Sequence, residues 1–394
     1  MDLPVAPLWP GWALALVVTV TGCLLFIVRA WWQSLSELGT PCLVFRAASG
    51  QVRQPGAATS EGDHERLRLL QINVWSGSTY EVDWRRFDFV PFAGDDRARR
   101  YESLFRYIQH YDPDVICLNE AMPWCAYPRQ LAVDLGMDCC THLGVAGIRL
   151  GPVRIPGISE GDAILAKPHL KLKQLGRRRL TGAVLTNQVS FNLDDATQAI
   201  AAQVTLPSGI DVIVCCTHWQ SFLLDNPLTR NRLREAREDG AMGYELKQVE
   251  RDIKRRTESR KQEALQTAKF VEVAASRAQS WEAPRIISGD LNTSYGTLEI
   301  SVLEDCGYTS ASRASQIKAD FTTWDPANPQ VALQLKAGPA RQSTRGHLHG
   351  LLEAASLEDP EQLDHIFFKI APASKLKLLD CRVVLKGELG GVVP

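Results

Sequence analysis

The feature that most limits what this chain can become is a repeated pattern. An apolar run short enough for a buried strand ends in a cluster of Asn, Glu, His or Asp. The clusters are Gln71-Ile72-Asn73-Val74-Trp75, Asn119-Glu120, Thr217-His218-Trp219 and Gly289-Asp290-Leu291-Asn292, and a fifth, Leu363-Asp364-His365-Ile366, lies inside such a run near the end. Strand ends bring residues from distant parts of a chain to one edge of a sheet. The pattern therefore calls for a fold in which Asn73, Glu120, His218, Asp290, Asn292 and Asp364 converge on one pocket.

The remaining periodicity fits that demand. Strands are predicted over Arg68–Val74, Asp114–Leu118, Ala163–Leu165, Arg285–Ser288, Gln362–Phe368 and Leu378–Leu385. Ala199–Leu206 and Ile210–Cys216 form a hairpin around Pro207-Ser208-Gly209. Arg99–His110 places Leu104, Tyr107 and Ile108 on one helical face, and Glu245–Arg277 repeats the spacing with Leu246, Val249 and Ile253. The middle of that second helix, Lys254–Glu263, is almost wholly polar and mixes acids with bases, which reads as a solvated face. Strands that alternate with helices and also form hairpins predict an α/β (α+β) fold with mixed sheets.

The net charge of −1 gives no sign of the basic excess that a dedicated nucleic-acid partner demands. The ten cysteines are scattered through strand-like segments, with no pair at zinc-site spacing, and read as reduced buried thiols. Ahead of the folded body, Trp12–Val28 is an uncharged run of the minimum length for a membrane span, flanked by Trp9, Trp12, Trp31 and Trp32. No Lys or Arg precedes it, which argues against a cleaved signal peptide. Arg29, Arg46 and Arg53 follow it, which predicts a single-pass protein with its bulk in the cytoplasm. The expected organisation is a tail over 1–11, an anchor over 12–30, a flexible linker over 31–65 and one domain over 66–394.

Carboxylates and amides of this kind suit a hard divalent cation, Mg²⁺ or Mn²⁺, and a histidine beside them suits phosphate chemistry. The ordered series resembles the endonuclease/exonuclease/phosphatase superfamily of Mg²⁺-dependent phosphoesterases from about Arg68 onward. The resemblance implies a four-layer sandwich, two mixed sheets packed face to face with helices outside. It implies metal binding by Asn73 and Glu120, where the family's usual Gln before the glutamate is here Asn119. It implies that His218 bonds a non-bridging phosphate oxygen, that Asp290 and Asn292 position the attacking water and the phosphate, and that Asp364 orients a catalytic histidine. Gly161-Asp162-Ala163-Ile164-Leu165 matches a structural strand of the family. Phe321-Thr322-Thr323-Trp324-Asp325 resembles a loop lining the substrate groove, with Trp324 and Asp325 as substrate-binding residues.

The family pattern closes with Ser-Asp-His after one further strand, and no such motif follows Asp364. His365 sits on the opposite strand face from Asp364, and His347 and His349 lie in a loop before it. The expectation is a chain lacking the last strand and its acid/base histidine, through truncation or as a short form of low activity. The anchor and Asn73-Val74-Trp75 point to a lipid phosphodiester at a bilayer, cleaved in the manner of a neutral sphingomyelinase, and Arg260 and Gln262 fit the same branch. A nuclease, a phosphoinositide phosphatase and a non-catalytic phosphate-binding module at a membrane are the alternatives. Arg177-Arg178-Arg179 reads as a solvated loop, with a phosphate head group, an anionic membrane or RNA as its alternative partners.

Overall fold

The computed structural model describes residues 19–22, 66–74, 80–83, 88–91, 97–121, 126–145, 149–150, 153–154, 160–180, 197–221, 224–240, 243–315, 321–328, 348, 352, 360–372, 374 and 376–384. Two sheets face one another. The first has the order β1 (Leu69–Asn73), β4 (Val115–Ala121), β8 (Glu160–Ala166) and β5 (Asp138–Val145). The second has the order β13 (Thr309–Ser310), β14 (Asp364–Lys369), β12 (Arg285–Asp290), β11 (Asp211–His218), β10 (Gln198–Thr205) and β9 (Lys173–Arg179). Two small hairpins, β2–β3 (Tyr80–Asp83, Asp88–Pro91) and β6–β7 (Arg149–Leu150, Val153–Arg154), stand apart from them. Both sheets are mixed: β1 runs parallel to β4 and β11 to β12, while β4–β8, β10–β11 and β12–β14 are antiparallel.

Alternation along the strands sorts the side chains into layers. Val115, Cys117, Cys140 and Ile164 of the first sheet meet Ile200, Ala202, Val214 and Cys216 of the second in one buried cluster, the seam of the sandwich. On the outer face of the first sheet, Leu70, Ile116, Leu118 and Leu165 pack under Leu104 and Ile108 of α1 (Arg97–Tyr111) and Leu131 of α2 (Ala126–Leu135). On the outer face of the second, Ala201, Ile213, Cys215 and Ile287 pack under Ala264, Ala268, Val271 and Ala275 of α4 (Gly243–Arg277) and Ile300 and Leu303 of α5 (Leu298–Asp305). The expected layering of two mixed sheets between helices is what the chain forms. The short α3 (Pro227–Glu238) is capped by Asn226, whose side chain accepts from the Thr229 N–H.

Four expectations are corrected. Residues 378–384 form no strand: this segment is tied to Ser315 through the backbone of Cys381, and Leu385 lies outside the described residues. Lys254–Glu263 is solvated on one side only: Lys254, Arg255, Glu258 and Gln262 are exposed, but Arg256, Arg260 and Glu263 are buried. Arg177–Arg179 is not a loop but the end of an edge strand. The single-pass membrane placement is the fourth. Only 19–22 of it fall among the described residues, and no helix among these is long and apolar enough to cross a membrane. A span needs about 20 consecutive apolar residues, whereas the longest described helix, α4, carries charge throughout. The single-pass placement with a cytoplasmic domain is withdrawn. The tail, linker, His347 and His349 lie outside the described residues. The described cysteines are all free thiols, five of them buried.

Gly289 shows how tightly β11 and β12 approach. A Cβ there would lie 1.8 Å from the Thr217 carbonyl oxygen, which only backbone movement could relieve. Gly289→Ala is expected to destabilise the fold by more than about 2 kcal/mol in denaturant titration, a shift in backbone rather than a loss of contact. A change below about 0.5 kcal/mol would contradict this packing.

Candidate active site

At one end of the sandwich the aliphatic seam gives way to polar side chains, and the strand register arranges them in two facing rows. Across the first sheet the row contains Asn73, Asn119, Asp162 and His142. Across the second it is Asp364, Asp290, His218, Gln198 and Arg179. Four of the six converging residues, Asn73, His218, Asp290 and Asp364, are thus fixed in place by pairing alone.

Glu120 needs more than pairing. Strict alternation would send it outward with Ile116 and Leu118, into the helical layer. Instead β4 carries a bulge opposite β8, where Leu118 pairs with Ala163 but Ala121 pairs with Gly161. Glu120 itself has a left-handed backbone, φ 53°. A bulge of this kind re-aims a side chain, and here it brings Glu120 back to the polar end. Asn73 Nδ2 donates to Glu120 Oε1 at 2.8 Å and to Asp290 Oδ2 at 2.9 Å. His218 Nε2 lies 3.9 Å from Glu120 Oε1. Ligand atoms of Glu120, His218 and Asp290 all fall within 4.8 Å of one another. Two carboxylates gathered round one amide, with an imidazole beside them, form a donor set that fits a hard divalent cation.

Asn292 follows Asp290 in a left-handed turn, φ 46°. Its N–H donates to Asp290 Oδ1 at 2.8 Å, and its side-chain amide to the Trp219 carbonyl at 2.9 Å. Asp364 receives Gln71 Nε2 at 3.1 Å. Loss of solvation, with the Asp290 charge next to it, pushes the Asp364 carboxyl up to about 7, against bonds from Gln71 and Thr323 that favour its anion. His365 points the other way, as strand geometry requires, and its Nε2 pairs with the Thr293 carbonyl. Trp324 stands at the rim, bridged through its backbone to Glu361, while Thr323 Oγ1 accepts from the N–H groups of Leu363 and Asp364. Asp325 is not drawn into the cluster; its carboxylate accepts from the Ala327 N–H in its own turn.

Sequence reasoning missed several residues that the fold places here. Asn119, read as a stand-in for a family Gln, is fully buried between the sheets, where it bonds Asp162, Gln71, the Asp290 N–H and the Thr217 carbonyl. Asp162, read as structural, lies close enough to His218 to feel its charge. Burial raises its carboxyl to about 6, against His218 and bonds from Asn119 and Gln198. The second group missed is on α4. Glu263 accepts from the Gln220 N–H at 2.9 Å, Arg256 donates to the Ser221 carbonyl at 2.7 Å, and Arg260 pairs with buried Glu299 at 3.1 Å. These side chains clamp the backbone that follows His218. The spacing of 256, 260 and 263 is helical and was visible, but it continues the apolar stripe in polar residues, which hydropathy cannot register.

Residues 70–374 match the profile of the endonuclease/exonuclease/phosphatase family. No curated protein sequence matches the chain. Among solved structures, it is similar to the human nocturnin catalytic domain with bound sulfate at 15% identity, TM-score 0.43, covering 78% of this chain and 82% of that one. A mannosyl-6-phosphatase of Bacteroides thetaiotaomicron gives 12%, 0.46, 78% and 86%. TDP2 of D. rerio with a single-stranded DNA product gives 16%, 0.40, 79% and 86%. At these identities and scores no activity is carried over from any of them.

Glu263 yields a pH signature. Burial lifts its carboxyl from 4.5 to about 7, so between those values the folded chain keeps a proton that the unfolded chain has released. The stability it contributes is complete below pH 4.5 and lost as pH rises to about 7. In Glu263→Gln the melting temperature is therefore expected to fall less between about pH 5 and about pH 8 than in the parent. Identical slopes would place the Glu263 charge in the folded state throughout.

Proposed function

The chain belongs to the endonuclease/exonuclease/phosphatase family, and from that premise we propose that it is a divalent-metal-dependent phosphodiester hydrolase. The observation that carries this reading is the convergence of Glu120, Asp290 and His218 within 4.8 Å, held by one asparagine amide. Glu120 and Asp290 would hold the ion, Mg²⁺ or Mn²⁺, with Asn73 fixing the gap between them. Bound there, the ion would neutralise charge on the phosphoryl oxygens and ease departure of the alcohol.

The protein groups divide the remaining work. Asp290, oriented by the Asn292 N–H, is placed to align a water molecule and accept its proton. His218, with Asp162 behind it, is placed to donate to a non-bridging oxygen as negative charge grows there. Asn292 holds its amide against the Trp219 carbonyl and keeps the loop after β12 beside β11. Asp364 supplies a further carboxyl opposite Asp290 and Trp324 a wall at the rim; Asp325 has a substrate role only through an exposed turn.

The sphingomyelin reading rested on a membrane anchor, on Asn73-Val74-Trp75 and on Arg260 and Gln262. With the anchor withdrawn, Arg260 paired with buried Glu299 and Gln262 exposed, the motif is its main remaining support, and it stands level with nucleotide and phosphoinositide esters.

The test is hydrolysis of bis(p-nitrophenyl) phosphate by the full chain with Mg²⁺ or Mn²⁺. Turnover is expected to vanish with EDTA and return with metal. His218→Ala is expected to lose roughly 10²–10⁴-fold in kcat. Glu120→Gln should raise the metal concentration needed for half-maximal rate. Phosphate binding with no turnover at any metal concentration would make the chain a binding module and end the hydrolase reading.

A further inference from the structure

The triplet Arg177-Arg178-Arg179 is unexplained by the chemistry above, and its place in the fold is specific. It ends β9, the edge strand of the second sheet, at the same end of the sandwich as the metal-binding cluster. Arg179 pairs with Gln198 and Gln198 with His218, so Arg179 stands in the same cross-sheet row as His218, Asp290 and Asp364. Arg177 pairs with Ile200, one step deeper.

The faces are settled by neighbours. Directly paired residues share a face, and Ile200 belongs to the seam between the sheets. Arg177 and Arg179 therefore point into the slot between β9 and β5. Gly176 lies on the other face, where a Cβ would meet Arg277 and Phe270 of α4, and Arg178, two residues on, is exposed. His142 of β5 gives an independent marker. Burial and then the charges of Arg177 and Arg179 drive its imidazole down to about 3, so both guanidinium groups lie near it, across the slot. Arg179 is also pushed below its ordinary range by burial and by Arg177. Two like charges and a neutral imidazole thus gather at a partly open edge, two strand spacings, about 10 Å, from the strand that carries His218.

We propose that Arg177 and Arg179 form an anion subsite that takes a second negatively charged group, a phosphate above all, of a substrate whose scissile phosphate occupies the Glu120–His218–Asp290 cluster. The subsite rests on the hydrolase reading for the position of that first phosphate. It selects substrates with two anionic groups several bonds apart over those with one, because charge-assisted bonds to two guanidinium groups form only with the former.

The experiment measures binding to the full chain, with Mg²⁺ present, by calorimetry with a hexose monophosphate and a hexose bisphosphate. The parent is expected to bind the bisphosphate at least about tenfold more tightly. The Arg177→Gln/Arg179→Gln double variant should bring the two within about twofold, and Arg179→Lys should recover part of the preference as a point charge. Arg178→Gln, which removes one positive charge on the outer face, should keep it. Equal affinities in the parent, no measurable affinity for either sugar, or an equal loss in Arg178→Gln would overturn the subsite. Hydrolysis of bis(p-nitrophenyl) phosphate separates the two readings: turnover without bisphosphate preference sinks the subsite alone, and preference without turnover sinks the hydrolase reading alone.

Discussion

The polar end of this sandwich depends on one buried amide. Asn119 lies between the sheets with all of its hydrogen-bonding capacity in use: it donates to Asp162 and the Thr217 carbonyl, and it accepts from Gln71 and the Asp290 N–H. Elsewhere the two sheets are joined by aliphatic packing, which is non-directional and tolerates sliding. Here they are joined by bonds with fixed geometry, each worth about 1 kcal/mol net but costly to leave unmade in a dry interior. Removing that amide would strand groups on β1, β8, β11 and β12 at once. The alignment of Asn73 with Asp290, and of Asp162 with His218, is a consequence of that tie.

A second layer of support lies behind it. α4 presents Arg256, Arg260 and Glu263 to the backbone of Gln220 and Ser221, while Thr267 meets the indole N–H of buried Trp219. The loop that leaves β11 is gripped from one side by a helix and from the other by Asn292. His218 is thereby placed by contacts beyond its own strand. Buried charges are expensive unless paired and bonded; Arg260 is paired with Glu299 and Arg256 is bonded to the Ser221 carbonyl, while Glu263 is relieved by holding its proton up to about pH 7.

Much of this was legible in the sequence because strands carry their own phase. Asn73, His218, Asp290 and Asp364 fall at strand ends, so hydropathy marked them and pairing aligned them. Glu120 was legible only by resemblance, since its strand phase points away from the site and the bulge that reverses it leaves no mark in residue type. Asp162, Arg256, Arg260 and Glu263 were misread for a related reason. Hydropathy equates polar with exposed, and that equation fails where the core itself is polar. The arginine triplet failed differently: three consecutive charges look solvated until alternation on an edge strand splits them between two faces. The predicted anchor was read from length, apolarity and flanking tryptophans, and no described helix is long and apolar enough to cross a membrane.

The bulge at Glu120 makes this site sensitive to counting. Its carboxylate reaches the cluster because β4 has one residue more than its neighbour β8 between two fixed pairs. Nearly any side-chain exchange around it leaves that surplus intact. A one-residue deletion between Leu118 and Ala121 would remove it, heal the ladder and leave a smooth strand. A sheet repaired in this way would be more regular and would have lost the Glu120 carboxylate from its polar cluster. In this chain a flaw in the weave is what brings that carboxylate to Asn73, His218 and Asp290.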